Sequence, residues 1–172
     1  MKLVVGLGNP GSRYNFTRHN SGFLALDYYL KKSGGDFQPH LGALSCRKGN
    51  AWFVKPQDFY NLSGKAVAEY ARYYKIPTSD ILVICDNFDL EFGMVRYRSS
   101  GSAGGNNGLK SVDAMLGTSD YPRIRIGTEN RELRQKMGDV DFVLSKFTPE
   151  EKEKLPEILD TICKKIDEFI EG

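Results

Sequence analysis

The run Ile81–Cys85 constrains the fold most, because its five consecutive apolar residues are typical of a strand covered on both faces. Such strands lie at the centre of parallel sheets, where helices usually form the crossover connections. The spacing of apolar residues predicts further short strands on both sides of this run, separated by helices. We therefore expect an α/β, three-layer sandwich with a twisted, mostly parallel mixed sheet flanked by helices.

The predicted strands and helices alternate along the chain. A hairpin-type turn at Gly49-Asn50 joins two strands, so the sheet is expected to be mixed. Strands are predicted at 2–5, 43–47, 51–55, 81–85, 94–99 and 121–127. Helices are predicted from 21 to about 33, from Asn61 to before Pro77, from the glycine-rich loop to about 116, at 140–144 as a short helix or turn, and from about 149 onward. Thr148 and Glu151 form the capping box of the last helix.

Length and charge narrow the class of protein. A chain of 172 residues suits one core, and we treat 1–172 as a single domain. The tail from Pro149 is acidic and the remaining chain basic, which fits either a polyanionic ligand on one face or a solvated charged helix.

The three cysteines, Cys46, Cys85 and Cys163, form no CxxC pair, which argues against a zinc site and favours a reducing cytoplasm. We expect no signal peptide, because Lys2 is followed directly by a short strand-like run, and no membrane span, because the apolar run Ile81–Cys85 is too short.

The stretch Gly101–Ser111, GSAGGNNGLKS, is a glycine-rich loop that runs into a predicted helix. Glycine allows the backbone to approach a ligand closely, and a helix N-terminus directs N–H groups at an anion. Basic residues lie on both sides of the loop, among them Arg98, Lys110 and Arg125. By itself the loop indicates either a binding site for phosphate or nucleic acid, or a long flexible turn.

Gly6, Gly8 and Gly11 match the GxGxxG fingerprint directly after a strand, so a dinucleotide-dependent enzyme is an alternative. Pro10 removes an N–H group that a pyrophosphate would use. The polar stretch Ser12–Asn20 also separates the turn from the next predicted helix. The match is therefore only a weak indication of nucleotide binding.

Histidine is the usual general base near neutral pH, and this chain has two. His40 lies in a predicted loop and is expected at the surface. His19 precedes a predicted helix, and Asp86, placed just past the end of the strand 81–85, can orient its ring. Ligands of open α/β sheets bind outside the carboxyl ends of the strands. Asn9 and Asp86 both follow predicted strands, so they can lie at the same edge of the sheet. Since no serine or cysteine nucleophile motif is visible, hydrolysis would use water activated by His19.

Several asparagines follow the predicted strands or precede the predicted helices. An asparagine amide offers both a donor and an acceptor, which suits a peptide amide or an ester carbonyl. Asparagine also favours caps and turns, and Asn61 would serve as a plain N-cap. The asparagines that can grip a substrate include Asn9, Asn61 and Asn107.

Six ordered motifs resemble the bacterial-type peptidyl-tRNA hydrolases: GLGNPGSRYNFTRHNSGF, KPQDFYNLSGKAV, CDNFDLEFGMVRYR, GGNNGLKSV, YPRIRIG and FVLSKFTPEE. They run from residue 3 to about 151, nearly the whole chain. The resemblance implies a compact α/β sandwich, usually monomeric and cytoplasmic. It implies an enzyme that hydrolyses the ester between a peptide and the 3′ end of tRNA, with no metal and no cofactor.

The resemblance also implies a role for individual residues. His19 corresponds to the histidine that activates water, and Asp86 corresponds to its carboxylate partner. The residues that hold the peptide and the ester region correspond to Asn9, Tyr14, Tyr60, Asn61 and Asn107. Contacts to tRNA are implied for Arg98, Lys110 and Arg125.

Three positions depart from the family's motifs. The family loop usually reads GGHNG, where this chain has Asn106, and NLSG is usually preceded by methionine, where this chain has Tyr60. The last strand is followed by IGTEN, which places Glu129 near the expected RNA surface. We expect these changes to affect tRNA affinity more than catalysis. They leave a non-catalytic RNA-binding member of the same fold as the alternative function.

Overall fold

Seven strands form one sheet in the computed structural model, which describes residues 1–172. In chain order they are β1 Lys2–Gly6, β2 Gln38–His40, β3 Ala43–Lys48, β4 Ala51–Pro56, β5 Ile81–Glu91, β6 Val95–Arg98 and β7 Arg123–Glu129. Their order across the sheet is β2-β3-β4-β1-β5-β7-β6. The inner strands β4, β1, β5 and β7 are parallel, and antiparallel strands extend both edges. The mixed sheet with a parallel centre is therefore confirmed.

The helices are α1 Ser21–Ser33, α2 Gly64–Tyr73, α3 Asn107–Leu116, α4 Arg131–Met137, α5 Asp139–Val143 and α6 Pro149–Glu171. Helices α2 and α3 share a buried cluster with one face of the sheet. Helices α1 and α6 share another cluster with the opposite face. The expected three-layer sandwich is thus confirmed.

The central strand explains why both faces are covered. Ile81, Val83 and Cys85 pack in the cluster with α2 and α3, whereas Leu82 and Ile84 pack in the cluster with α1 and α6. None of these five side chains is exposed. Removing apolar surface from water stabilises the fold by roughly 25 cal/mol per Å². The first half of β5 therefore joins the two cores.

The second half of β5 differs from the prediction. Asp86 does not follow the end of the strand, because β5 continues to Glu91. It lies within the strand, opposite Ile126 of β7, and the register shifts between Asn87 and Glu91. Backbone pairing with β7 holds this polar half of the strand, so apolar patterning could not reveal it.

Two elements and one helix start also differ from the prediction. The short edge strand β2 was predicted as a loop, and its Pro39 is tolerated because β2 pairs only with β3. The charged helix α4 was not predicted. Asn61 lies in a 3₁₀ turn, Tyr60–Leu62, and α2 begins at Gly64 instead.

His40 is not the free surface residue that the sequence indicated. Its Nε2 lies 2.6 Å from the hydroxyl oxygen of Tyr74, and its ring stacks on Trp52 with centroids 5.0 Å apart. These contacts give His40 a structural role at the β2 edge of the sheet.

Arg123 and Arg125 alternate with isoleucines along β7, a pattern that favours one exposed basic face, but Arg123 does not lie on such a face. Its side chain is fully buried. The guanidinium donates hydrogen bonds to the carbonyl oxygens of Ser119, at 2.6 Å, and Tyr121, at 3.3 Å. Arg123 therefore anchors the loop before β7, and of the two predicted arginines on this strand only Arg125 reaches the surface.

The glycines of GLGNPG allow β1 and its turn to pack closely against α1. A Cβ atom at Gly6 would lie 2.3 Å from the carbonyl oxygen of Gly22, and one at Gly8 would lie 2.7 Å from the Phe23 ring. Two 3₁₀ turns, at 12–14 and 18–20, separate the motif from α1. A dinucleotide site needs the helix to begin at the turn. Close packing accounts for the glycines, and the dinucleotide alternative gains no support.

Helix α6 begins with the predicted capping box. Thr148 Oγ1 accepts from the backbone N–H of Glu151 at 3.2 Å, and Glu151 Oε1 accepts from that of Thr148 at 2.8 Å. Its apolar side packs against the sheet through residues that include Leu155, Ile162 and Ile166. No helix in the chain combines the length and apolar character needed to cross a bilayer.

Candidate active site

His19 and Asp86 lie side by side, although 67 residues separate them in sequence. The Nδ1 atom of His19 is 2.9 Å from Asp86 Oδ2 and 3.0 Å from Oδ1. The carboxylate is buried, and the imidazole is partly exposed. A carboxylate at Nδ1 leaves Nε2 available to accept a proton. The geometry is that of a base held by an orienting group.

Tyr60 packs directly against this pair. Its ring stacks on that of His19 with centroids 3.5 Å apart and an angle of 10° between the planes. Its hydroxyl donates to Asp86 Oδ1 at 2.7 Å. Burial, with the nearby Asp86 charge, raises the pKa of Tyr60 well above its usual value, so the phenol remains a donor. Since Tyr60 is only 3% exposed, this placement does not match the direct substrate contact implied by the resemblance.

Asn106 holds Tyr60 and the start of α3 together. Its Nδ2 donates to the Tyr60 hydroxyl at 2.8 Å and to the backbone carbonyl of Asp86 at 3.2 Å. Its Oδ1 accepts from the backbone N–H of Leu109 at 2.9 Å and caps the helix. Two departures from the family motifs, Tyr60 and Asn106, therefore contact each other beside His19 and Asp86.

Asn9 is fixed at the end of β1 by hydrogen bonds that only the tertiary structure brings together. Its Oδ1 accepts from the backbone N–H of Tyr60 at 2.7 Å. Its own backbone N–H donates to Asn20 Oδ1 at 2.8 Å, and Asn20 Nδ2 donates back to the Asn9 carbonyl at 2.9 Å. Asn20, a loop asparagine next to His19 in the sequence, therefore holds the backbone of Asn9.

A cavity of about 220 Å³ opens beside His19. Its wall includes the residues 104–107 of the glycine-rich loop, the second half of β5, and part of α5. The first N–H group of α3, that of Asn107 in the cavity wall, has no acceptor within the helix. Arg125 also lines the cavity, and its guanidinium donates to the carbonyl of Ser102. The cavity thus brings a histidine paired with a carboxylate next to donors that suit a developing negative charge.

A larger groove, of about 690 Å³, includes neither His19 nor Asp86. It is lined by Asn9 and Asn20 together with residues of α1 and α6. The greater volume does not make this groove the candidate active site, because His19 and Asp86 line the smaller cavity. No group of three or more His, Cys, Asp or Glu side chains in the chain is arranged to hold a metal ion.

The remaining predicted substrate residues occupy three different positions. Asn107 is exposed and lines the cavity beside His19. Asn61 is exposed on the 3₁₀ turn that also carries Tyr60. Tyr14 is half-buried on the turn Ser12–Tyr14, outside this cavity. The fold therefore brings Asn107 to the cavity that His19 lines, and it places Tyr14 outside this cavity.

The predicted tRNA contacts lie on separate elements around the site. Arg98 is exposed on the edge strand β6, and Lys110 is exposed on the first turns of α3. Arg125 is half-buried in the cavity wall. Glu129 forms an ion pair with Arg131 at 3.0 Å, so a nearby cation offsets its charge.

Comparisons with known proteins agree with the motifs. The family described as Peptidyl-tRNA hydrolase matches residues 3–172. The peptidyl-tRNA hydrolase of Chloroflexus aurantiacus is 42% identical over 173 residues, which cover 97% of this chain and 91% of that protein. The peptidyl-tRNA hydrolase of Desulfitobacterium hafniense is 45% identical over 172 residues, which cover 96% of this chain and 91% of that protein.

Solved structures of the same kind of protein superpose on the whole chain. A crystal structure of peptidyl-tRNA hydrolase in complex with N-propanol gives a TM-score of 0.91 at 28% identity, covering 100% of this chain and 89% of that one. The peptidyl-tRNA hydrolase of Acinetobacter baumannii gives 0.88 at 28% identity, with the same coverage. From the family match, the close relatives and the shared fold, we conclude that this chain belongs to the peptidyl-tRNA hydrolase family.

Proposed function

We propose that this chain hydrolyses peptidyl-tRNA, cleaving the ester that joins the peptide to the 3′ end of the tRNA and releasing both. Membership of the family supports the reaction. The observation that carries the assignment to residues is the contact between His19 Nδ1 and Asp86, at 2.9 Å, in the wall of a cavity. That contact leaves one imidazole nitrogen free to serve as a base.

In the proposed first step, His19 Nε2 removes a proton from water as the water oxygen attacks the ester carbonyl carbon. Asp86 holds the Nδ1 side of the ring and stabilises the imidazolium. The tetrahedral intermediate then collapses, and the bond between the carbonyl carbon and the 3′ oxygen breaks. His19 returns the proton to that oxygen, so the base is regenerated.

The negative charge that develops on the carbonyl oxygen needs donors, and α3 is proposed to supply them. Its first N–H groups have no acceptor within the helix, and the side-chain amide of Asn107 lies in the same cavity wall. Each donor of this kind can contribute about 3–4 kcal/mol to the stabilisation of a transition state. Asn9 and Asn61 are proposed to contact the peptide. A side-chain amide can donate a hydrogen bond to a peptide carbonyl, and its oxygen can accept one from a neutral peptide N–H.

The tRNA is proposed to lie across the surface that carries Arg98, Lys110 and Arg125. Cations on this surface would contact phosphates, which position the RNA without reading its sequence. Arg125, in the cavity wall, would lie nearest the ester, and Arg98 and Lys110 would contact the acceptor stem further out. We also propose that the enzyme works in the cytoplasm as a monomer of one domain.

The alternative, a non-catalytic RNA-binding member of the fold, is not favoured. A binding module has no need of a histidine aligned with a buried carboxylate. Here His19 and Asp86 are in contact, and the imidazole is partly exposed to the cavity. These features fit a hydrolase better than a binding protein.

The test is the release of peptide from an N-acetylated aminoacyl-tRNA by the wild type and by His19→Ala. Loss of the general base is expected to lower turnover by about 10²–10⁴-fold. His40→Gln is the matched control, since it changes the other histidine, which lies outside the cavity. Thermal unfolding of each variant reports whether it is folded. Full turnover by a folded His19→Ala protein would overturn the mechanism, and inactivity of the wild type would overturn the function.

A further inference from the structure

We infer that Tyr60 is a positioning residue that shares the Asp86 carboxylate with His19 and so sets the pH range in which the imidazole accepts a proton. The inference rests on the proposed role of His19 as the base. It concerns a residue that the mechanism above does not use.

The sharing follows from the hydrogen bonds of the carboxylate. Asp86 Oδ1 accepts from the Tyr60 hydroxyl at 2.7 Å and lies 3.0 Å from His19 Nδ1. Asp86 Oδ2 lies 2.9 Å from the same nitrogen. A donor to a carboxylate stabilises its negative charge and lowers its basicity. The phenol therefore weakens the interaction of Asp86 with the imidazolium.

Asn106 determines the direction of the phenol proton. The Tyr60 oxygen accepts an N–H from Asn106 at 2.8 Å, so its own proton points to Asp86. The Tyr60 backbone is held by Asn9, and its ring is stacked on His19. The hydroxyl thus has one acceptor and one donor in a fixed arrangement.

Apart from Arg125, whose guanidinium donates to the Ser102 carbonyl and has no acidic partner, the other charged groups near the pair are held in ion pairs. Arg134 lies 2.9 Å from Asp89 and 3.3 Å from Asp139, the two further acids in the cavity wall. The neighbour of His19 in sequence, Arg18, is paired with Glu151, and Arg125 lies in the cavity wall. The thiol of Cys85 is neutral, because burial raises its pKa to about 12. His19 and Tyr60 are the two side chains that hydrogen-bond to the Asp86 carboxylate.

The consequence can be measured as a shift in pH dependence. In Tyr60→Phe the ring and its stacking remain and the donor is lost, so Asp86 stabilises the imidazolium more strongly. The acidic limb of the kcat/KM profile is expected to move to higher pH by about 0.5–1 unit, which corresponds to a change of up to about tenfold in the protonation equilibrium. A purely structural role would lower activity equally at every pH.

Asn106→Ser provides a second variant that keeps a good N-cap residue and removes the amide donor to Tyr60. A smaller shift in the same direction is expected. Once Tyr60 is phenylalanine, the hydroxyl that Asn106 orients is gone, so Asn106→Ser should add little to Tyr60→Phe. This lack of additivity would show that both residues act through one hydrogen-bond chain.

An NMR titration of the imidazole C–H signals tests the inference without using turnover. The chain has two histidines, so His40→Gln assigns both signals, and His40 then serves as an internal reference. Tyr60→Phe should raise the titration midpoint of His19 and leave that of His40 unchanged. An unmoved His19 midpoint in folded Tyr60→Phe or Asn106→Ser overturns the inference, even if wild-type turnover is normal. A moved midpoint with an active His19→Ala protein would instead overturn only the proposed mechanism, in which His19 is the base.

Discussion

The guanidinium of Arg18 donates two parallel hydrogen bonds, each of 2.9 Å, to the carboxylate of Glu151. Arg18 has no exposed surface, and its charged group lies 4.4 Å from the ring centroid of Phe142. Glu151 belongs to the first turn of α6, whereas Arg18 directly precedes His19. The ion pair therefore joins the C-terminal helix to the turn that carries the proposed base.

Removing Glu151 should destabilise the fold strongly. Glu151→Ala leaves the Arg18 charge buried without a partner, and such losses typically cost about 3–5 kcal/mol. Turnover should fall as well, because Arg18 and His19 share one 3₁₀ turn. Urea unfolding measures the stability. Glu132→Ala is the control, since it removes an exposed acid paired with Lys136 and should cost at most about 1 kcal/mol. Equal costs for the two variants would contradict the prediction.

Gly108→Ala should disturb the site through Tyr60. A Cβ atom at Gly108 would lie 2.5 Å from Cε1 of the Tyr60 ring and 2.8 Å from Leu7. Overpacking of this kind costs about 1–3 kcal/mol, and displacement of the ring should lower turnover. Gly105→Ala, in the same loop, places its Cβ in open space. Steady-state kinetics and thermal unfolding of both variants check the prediction, which fails if Gly108→Ala behaves like Gly105→Ala.

Asp86→Asn should impair catalysis while preserving the shape of the side chain. The amide cannot compensate the imidazolium charge, so turnover should fall by about 10²–10⁴-fold, in the range typical of lost acid–base assistance. Asp89→Asn is the matched control, because Asp89 lines the same cavity without contacting His19. The measurement is kcat/KM on the plateau of the pH profile. A fall of the same size in both variants would point to the general charge of the cavity rather than to the pair.

Arg98→Ala should weaken tRNA binding and reduce its salt dependence. Loss of one phosphate contact lowers the slope of log K against log salt concentration by about one. Binding of uncharged tRNA at several salt concentrations measures this slope. Arg47→Ala is the control, since Arg47 is exposed on β3, near the opposite edge of the sheet. The proposed RNA surface would be wrong if both variants had the same slope.

Cys85 should resist alkylation in the folded protein. Burial raises the pKa of its thiol to about 12, whereas Cys46 is partly exposed. Iodoacetamide at pH 8 should therefore modify Cys46 first and reach Cys85 only after unfolding in urea, as mass spectrometry can show. The raised pKa also links this thiol to stability. Its contribution to the free energy of unfolding is fully present at pH values below its ordinary pKa of 9.0 and is lost as the pH approaches 12. Equal labelling of Cys46 and Cys85 in the native protein would contradict the structure.

The elements that the sequence predicted well are those with a local signal. The apolar run Ile81–Cys85 and the capping box at Thr148 and Glu151 both appear in the structure as predicted. Two strand segments that it missed depend on backbone pairing rather than on an apolar pattern of their own. The polar second half of β5 is held by β7, and the edge strand β2 is held only by β3.

The same division applies to the site. Ordered motifs identified His19, Asp86 and Asn107 as candidates, and the fold brings all three to one cavity. The motifs did not place Tyr60 or Asn106 beside His19 and Asp86, because a departure from a motif does not say what the new side chain contacts.

The sequence by itself determined the fold class, the family and the candidate base, because patterning, capping and motif order are written in neighbouring residues. The tertiary structure alone decided that Tyr60 and Asn106 support Asp86, and that Arg18 and Glu151 tie α6 to the turn of His19. These contacts join residues 20 to 133 positions apart. Their geometry depends on strand register and helix packing across the whole sheet, which no local stretch of sequence encodes.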